Sequence, residues 1–123
     1  MKGLYLYCVR AHGANSGEIK MKGIDSGEEI KAVLFKDIEA LASKIDLSRF
    51  NEKEIKDKLQ EDPKWTEKNI RHHHEIIAEA NETGAVIPMK FGTLYKTKKN
   101  FEAMLAKHYG KFKKLLSRLA GKQ

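Results

Sequence analysis

Three consecutive histidines, His72-His73-His74, are the densest group of metal-ligating and proton-transferring side chains in the chain. Neighbouring residues on a helix project about 100° apart, so three in a row cannot converge on one tetrahedral ion. His74-Glu75-Ile76-Ile77 opens like the helix of a zinc protease, but that chemistry needs a second histidine one turn later, where Ala78 stands. His72 and His73 therefore read as surface residues. His74, between Ile70 and Ile77, reads as a buried polar residue satisfied inside the core, and His108 on the last helix has the same reading. The single cysteine, Cys8, lies in an apolar run, where thiols are inert. Gly92-Thr93 lacks the spacing and the lysine of a phosphate loop. The chain has 17 acids, none in an apolar context that would tune a pKa. No catalytic residue, metal or cofactor is assigned.

The elements that would position these residues begin with Gly3 to Val9, a strand of aromatic and aliphatic residues. A glycine-rich loop follows to Gly27, with room for a short strand around Ile19 to Met21. Glu29 to Phe35 alternates apolar residues on both faces, as in a strand covered on both sides, and Lys36-Asp37 suits a tight turn. Ile38, Leu41, Ala42 and Ile45 have helical spacing, while the brief link to the preceding strand suits a hairpin; periodicity alone favours a helix. Asn51 with Glu54 forms a capping box for a helix through Leu59. Asp62-Pro63 caps and starts a second helix to about Asn81, with Ile70, His74, Ile77 and Ala78 on one face. Gly84 ends it.

Ala85 to Tyr95 is the most distinctive stretch. Ile87, Met89 and Phe91 alternate onto one face and Val86, Pro88 and Lys90 onto the other, before a break at Gly92-Thr93. Pro88 cannot donate to a ladder, which places the strand at an edge. Thr97 then caps a last helix whose apolar stripe is Phe101, Met104, Leu105, His108, Phe112, Leu115, Leu116 and Leu119. This order predicts one α+β domain over residues 1–123, ferredoxin-like or a modification of it, with a mixed or antiparallel sheet and the helices packed on one face.

With 41% apolar and 33% charged residues the chain is neither disordered nor membrane-spanning. One cysteine permits no internal disulfide, which favours a reducing, cytoplasmic setting. Arg10 interrupts the short apolar run at the start, so it does not read as a leader. The net charge of +7 is uneven: nine Lys/Arg face one acid, Glu102, from Lys96 to Lys122. A solvated helix face accounts for such a bias. The alternative is a nucleic-acid-binding module using Lys98, Lys99, Lys107, Lys111, Lys113, Lys114 and Arg118, disfavoured because the same helix must bury its apolar stripe.

Leu4-Tyr5-Leu6-Tyr7-Cys8-Val9, Lys36-Asp37-Ile38-Glu39-Ala40-Leu41, His74-Glu75 and Val86-Ile87-Pro88-Met89-Lys90-Phe91-Gly92-Thr93, closed by Leu115 to Gln123, together resemble the GvpF/GvpL family of gas vesicle accessory proteins. The resemblance runs the length of the chain, and Phe91-Gly92-Thr93 is its most specific element. It implies the family's N-terminal, ferredoxin-related domain, with the second α+β domain of family members absent. It also implies a non-enzymatic, gas vesicle-associated role through contacts with the small apolar shell protein GvpA and other accessory proteins, and a strand at Ile38 to Ile45. Lys90 stands where the family often carries arginine, and lysine cannot make the bidentate planar contact. His74, Pro88, Lys90, Phe91, Gly92 and Thr93 are the candidate structural or interaction residues.

Overall fold

Ten residues, Lys2–Ala11, form the central strand β1, and everything else is built around it. The computed structural model describes residues 2–13, 19–25 and 28–120. After β1 come β2 (Lys31–Phe35), β3 (Ile38–Asp46), α1 (Glu52–Glu61), α2 (Pro63–Asn81), β4 (Val86–Pro88), β5 (Leu94–Tyr95) and α3 (Lys98–Ala120). The sheet order is β2-β3-β1-β4, with β5 also on β1, and every pairing is antiparallel. That is the strand order of a ferredoxin-like sheet, in which the second crossover carries both α1 and α2. The first crossover has no helix among its described residues. Ile19, Ile24 and Ile30 fill the core there instead.

The three capping readings hold. Asn51 Oδ1 accepts the Glu54 N–H at 3.0 Å, Asp62 Oδ1 accepts the Trp65 N–H at 3.0 Å, and Thr97 Oγ1 accepts the Asn100 N–H at 3.1 Å. Each satisfies a donor that the first helical turn leaves open.

β1 carries a bulge: Leu6 pairs with Ala42 but Cys8 with Leu41, leaving Tyr7 as the extra residue. The bulge re-aims the side chains. Tyr5, Tyr7 and Cys8 all face α1 and α2, in a core with Leu41, Ile45, Phe50, Ile55 and Ile76. Leu6 and Val9 face the other way and pack with Ile38, Ala40, Ala42 and the α3 residues Phe101, Leu105, Phe112 and Leu116. The helices therefore cover both faces of the sheet, not one. α3 carries an apolar stripe of its own, Phe101, Leu105, Phe112 and Leu116, and buries it on the face that α1 and α2 leave open.

Two further expectations are corrected, and the open choice between helix and strand at Ile38 to Ile45 is decided. β2 is an outer strand and largely exposed, with Leu34 at 56% of its accessible surface; its alternating apolar pattern is covered on one side only, by Val33 and Phe35 against α3. Ile38–Asp46 is a strand hairpinned to β2 through Lys36-Asp37, Lys36 taking a left-handed φ of 53°. The resemblance gave the right element there and the periodicity did not, because Ile38, Ala40 and Ala42 on one face and Leu41 and Ile45 on the other mix two alternating patterns. Ile19 to Met21 is not a strand; Lys22 makes an isolated bridge to Glu29. The expected loop residues 14–18 and 26–27, and Gly121 to Gln123, lie outside the described residues.

Candidate functional site

Between β4 and β5 the chain leaves the sheet and returns. Cys8 pairs with Pro88 and Tyr5 with Leu94, so two residues of β1, Leu6 and Tyr7, stand opposite five, Met89 to Thr93. The main chain still holds at both ends of this excursion: the Met89 N–H donates to Tyr7 O at 3.0 Å, and the Leu6 N–H donates to Thr93 O at 3.0 Å. The extra residues let the backbone turn over. Ile87 and Met89 pack on the α3 side, but Phe91 crosses to the α1/α2 side. The alternation that puts all three on one face fails at this turn.

Phe91 enters a nest of rings, with centroids 6.3 Å from Tyr5, 6.3 Å from Phe50, 6.2 Å from Trp65 and 5.8 Å from His73. All four contacts are edge-on, the geometry that ring quadrupoles favour. Gly92 follows with φ 87°, a conformation that side-chain-bearing residues rarely adopt. Thr93 Oγ1 donates to Lys90 O at 2.6 Å and closes the turn.

The turn is fixed from below by a chain of hydrogen bonds whose directions can be assigned. Met89 O can only accept, so the 2.8 Å contact from His73 Nε2 places the proton on Nε2. His73 Nδ1 must then accept, and the Tyr5 hydroxyl 2.9 Å away donates to it. The Tyr5 oxygen in turn accepts the Gly92 N–H at 2.9 Å. Every polar atom in the relay has a partner, and Tyr5 and His73 are both fully buried. Burial pushes the Tyr5 hydroxyl above the usual phenol range, against the lowering effect of the Gly92 bond. Burial likewise holds His73 below the usual imidazole range, against its bond to Met89. A neutral histidine and a neutral tyrosine serve as a clamp. A second one lies beside it: the Tyr7 hydroxyl accepts the Ile24 N–H at 2.9 Å and pairs with Ser43 Oγ at 2.8 Å, tying the first crossover to β1 and β3.

Residues 3–123 match the family model of the gas vesicle synthesis protein GvpL/GvpF. The chain belongs to the GvpL/GvpF family. Its fold is similar to that of the crystal structure of the gas vesicle protein GvpF from Anabaena sp. PCC7120, with a TM-score of 0.71 at 19% identity. The likeness covers 98% of this chain and 46% of that one, so the chain spans less than half the length of that GvpF. Comparison with curated proteins gives no match.

In this GvpL/GvpF chain the residues singled out from the sequence separate into two groups. Lys90, Phe91, Gly92 and Thr93 come together in the turn, with Pro88 beside them on β4, exposed at the sheet edge as its missing N–H requires. Lys90 is exposed and makes no ion pair among the described residues. His74 is elsewhere. It is exposed, while His73 is fully buried. The buried face of α2 runs through Trp65, Asn69, His73, Ile76 and Ala80, about one residue round from the face expected. That spacing is present in the sequence, but Ile70 and Ile77 give a competing apolar row and drew the reading one position away. Tyr5, whose hydroxyl joins Gly92 to His73, was also missed as a polar anchor. The histidines do not converge: His72 Nε2 contacts Lys22 O at 2.7 Å on the other flank, and no metal-holding group exists among the described residues. Cys8 is buried, and burial pushes its thiol up to about 12 despite the charge of Arg10.

Proposed function

We propose that this GvpL/GvpF domain serves gas vesicle formation as an accessory protein that works by contact, not by bond-making. The match of residues 3–123 to the family model is the observation that carries this reading. The chemistry of the turn supports it: the ordered polar groups under Gly92 are neutral, buried and mutually satisfied, an arrangement that holds a backbone shape and leaves no group poised to attack or to transfer a proton.

The partners in this reading are the apolar shell protein GvpA and other gas vesicle accessory proteins, met in the cytoplasm at or near the growing vesicle. A very apolar subunit aggregates unless its exposed strands and helices are shielded before it polymerises. Pro88 and Lys90 are the exposed residues of the candidate segment, and Phe91, Gly92 and Thr93 keep them in place. No helix among the described residues is long and apolar enough to cross a membrane.

The test is co-purification. The 123-residue chain carrying an affinity tag, expressed beside GvpA and the other accessory proteins, retains at least one of them through washing. Recovery of the chain alone, with correctly folded protein shown by circular dichroism, overturns the reading.

A further inference from the structure

The two long flanks of α3 differ. On one, Tyr109 and Lys113 both bond Asp37 and lean over the β2–β3 hairpin. The opposite flank, Met104, His108 and Leu115, therefore faces the β4 side of the sheet. Here the side chains at the rim of the α3 core stay partly open to solvent. Ile87 and Met89 on the β4 side, and Met104, His108 and Leu115 on the helix, are each only half-buried, and Leu119 at the end of the row is 39% exposed. These half-buried side chains border the seam between α3 and the sheet edge, an apolar strip we term the trough.

One bank of this trough is basic. Lys107, Lys111, Lys114 and Arg118 follow at intervals of four, three and four, which keeps them within about 60° of helix arc and spread over roughly 17 Å. None of the four forms an ion pair among the described residues, whereas Lys113, on the other flank, is held by Asp37. Lys90, after β4, is a further exposed cation. The one acid of α3, Glu102, projects from the side away from the trough. A row of unpaired cations along an apolar seam is complementary to a helix of matching character: apolar residues at i, i+3, i+4 and i+7 to fill the seam, and carboxylates along its edge. Nucleic acid would satisfy the lysines but would leave the methionines and leucines facing phosphate.

We propose that the trough between α3 and β4 is the docking site for an amphipathic helix with an acidic flank. The inference rests on the contact role proposed above and adds to it the face used and the chemistry of the partner.

The test uses the 123-residue chain and a labelled synthetic peptide of about 18 residues, long enough to be helical when bound, with a leucine seam and glutamates along one side. A scrambled peptide of the same composition and a single-stranded oligonucleotide are the comparisons, read by fluorescence anisotropy. The seam peptide binds, and the scrambled peptide binds at least roughly tenfold more weakly. Lys107→Glu, Lys111→Glu and Lys114→Glu together abolish binding. Leu119→Gln weakens it by roughly threefold, as expected for one exposed apolar contact, and leaves the melting curve in place because that side chain is not core. Equal binding of the two peptides, unchanged binding by the charge-reversed protein, or tighter binding of the oligonucleotide overturns the proposal. Co-purification with GvpA that survives the charge reversal would leave the contact role standing and remove this face from it.

Discussion

The Tyr5 hydroxyl donates to His73 Nδ1 across 2.9 Å, joining the central strand to the middle helix over 68 positions of sequence. Through the other side of each residue the same bond reaches Gly92 and Met89, so β1, α2 and the turn between β4 and β5 are locked at one point. Lys90 and Phe91 lie between the two backbone points, Met89 O and Gly92 N–H, that this lock holds.

Removing the hydroxyl alone tests it. Tyr5→Phe keeps the ring contacts with Tyr7, Phe50 and Phe91 but leaves the Gly92 N–H and His73 Nδ1 without their partner in a dry core. The expected cost is about 1–3 kcal/mol, measured by urea denaturation, with loss of hydrogen-exchange protection at Gly92 ahead of the rest of the sheet. Unchanged stability and unchanged protection at Gly92 would show that the bond does not hold the turn.

The same site sets a pH dependence. Burial depresses His73, so in the folded protein it stays neutral below the pH at which the unfolded chain takes up a proton, near about 6.5. The unfolded state then binds more protons, and stability falls as the pH drops below that value until His73 itself protonates. Above it this contribution is constant. Tyr5 and Tyr7, raised by burial, act in the opposite direction: the unfolded chain loses its phenol protons first, so stability falls as the pH rises beyond about 10. Denaturation midpoints for the parent and for His73→Gln decide the acidic limb. The variant should show a shallower decline below about pH 6.5, and parallel curves would exclude His73 as the group responsible.

Two glycines make opposite predictions. Gly92 has φ 87°, so Gly92→Ala should destabilise by about 1–2 kcal/mol from backbone strain. An added Cβ there would meet only Ile55, at 3.5 Å and beyond, so packing is not the cause. Gly110 lies inside α3 with open space around it, and Gly110→Ala should stabilise by about 0.5–1 kcal/mol. Thermal melts of both variants check the pair; a shift of the same sign in both would contradict it.

Phe91→Ala removes four edge-on ring contacts from a side chain that is half-buried, not fully enclosed. The expected loss is about 2–3 kcal/mol, below the range for a completely buried phenylalanine. If Phe91 is a holder of shape, partner retention in the co-purification assay should decline in step with stability and recover under stabilising conditions. Loss of retention without loss of stability would make the ring part of the contact surface.

Much of this molecule could be read from local chemistry. Asn51, Asp62 and Thr97 start their helices because a short polar side chain can bond a free N–H three residues on, whatever surrounds it. Pro88 lies at a sheet edge because it has no N–H to give, and the stripe on α3 is buried because no other face of that helix is apolar. In the Phe91-Gly92-Thr93 block, Gly92 takes the left-handed φ and the Thr93 hydroxyl closes the turn on Lys90 O.

What the sequence determined by itself was the kind of most elements, the caps and the α+β class, since these depend on neighbours within a few residues; Ile38 to Ile45 was open between helix and strand. The tertiary structure decided which residues meet. The bulge at Tyr7 chose the faces of β1, the excursion from Met89 to Thr93 turned Phe91 across the sheet, and the rotation of α2 buried His73 where His74 had the apolar neighbours in sequence. A shift of one residue costs little in local propensity, but it moves a side chain between water and core, and only packing against distant strands sets that balance.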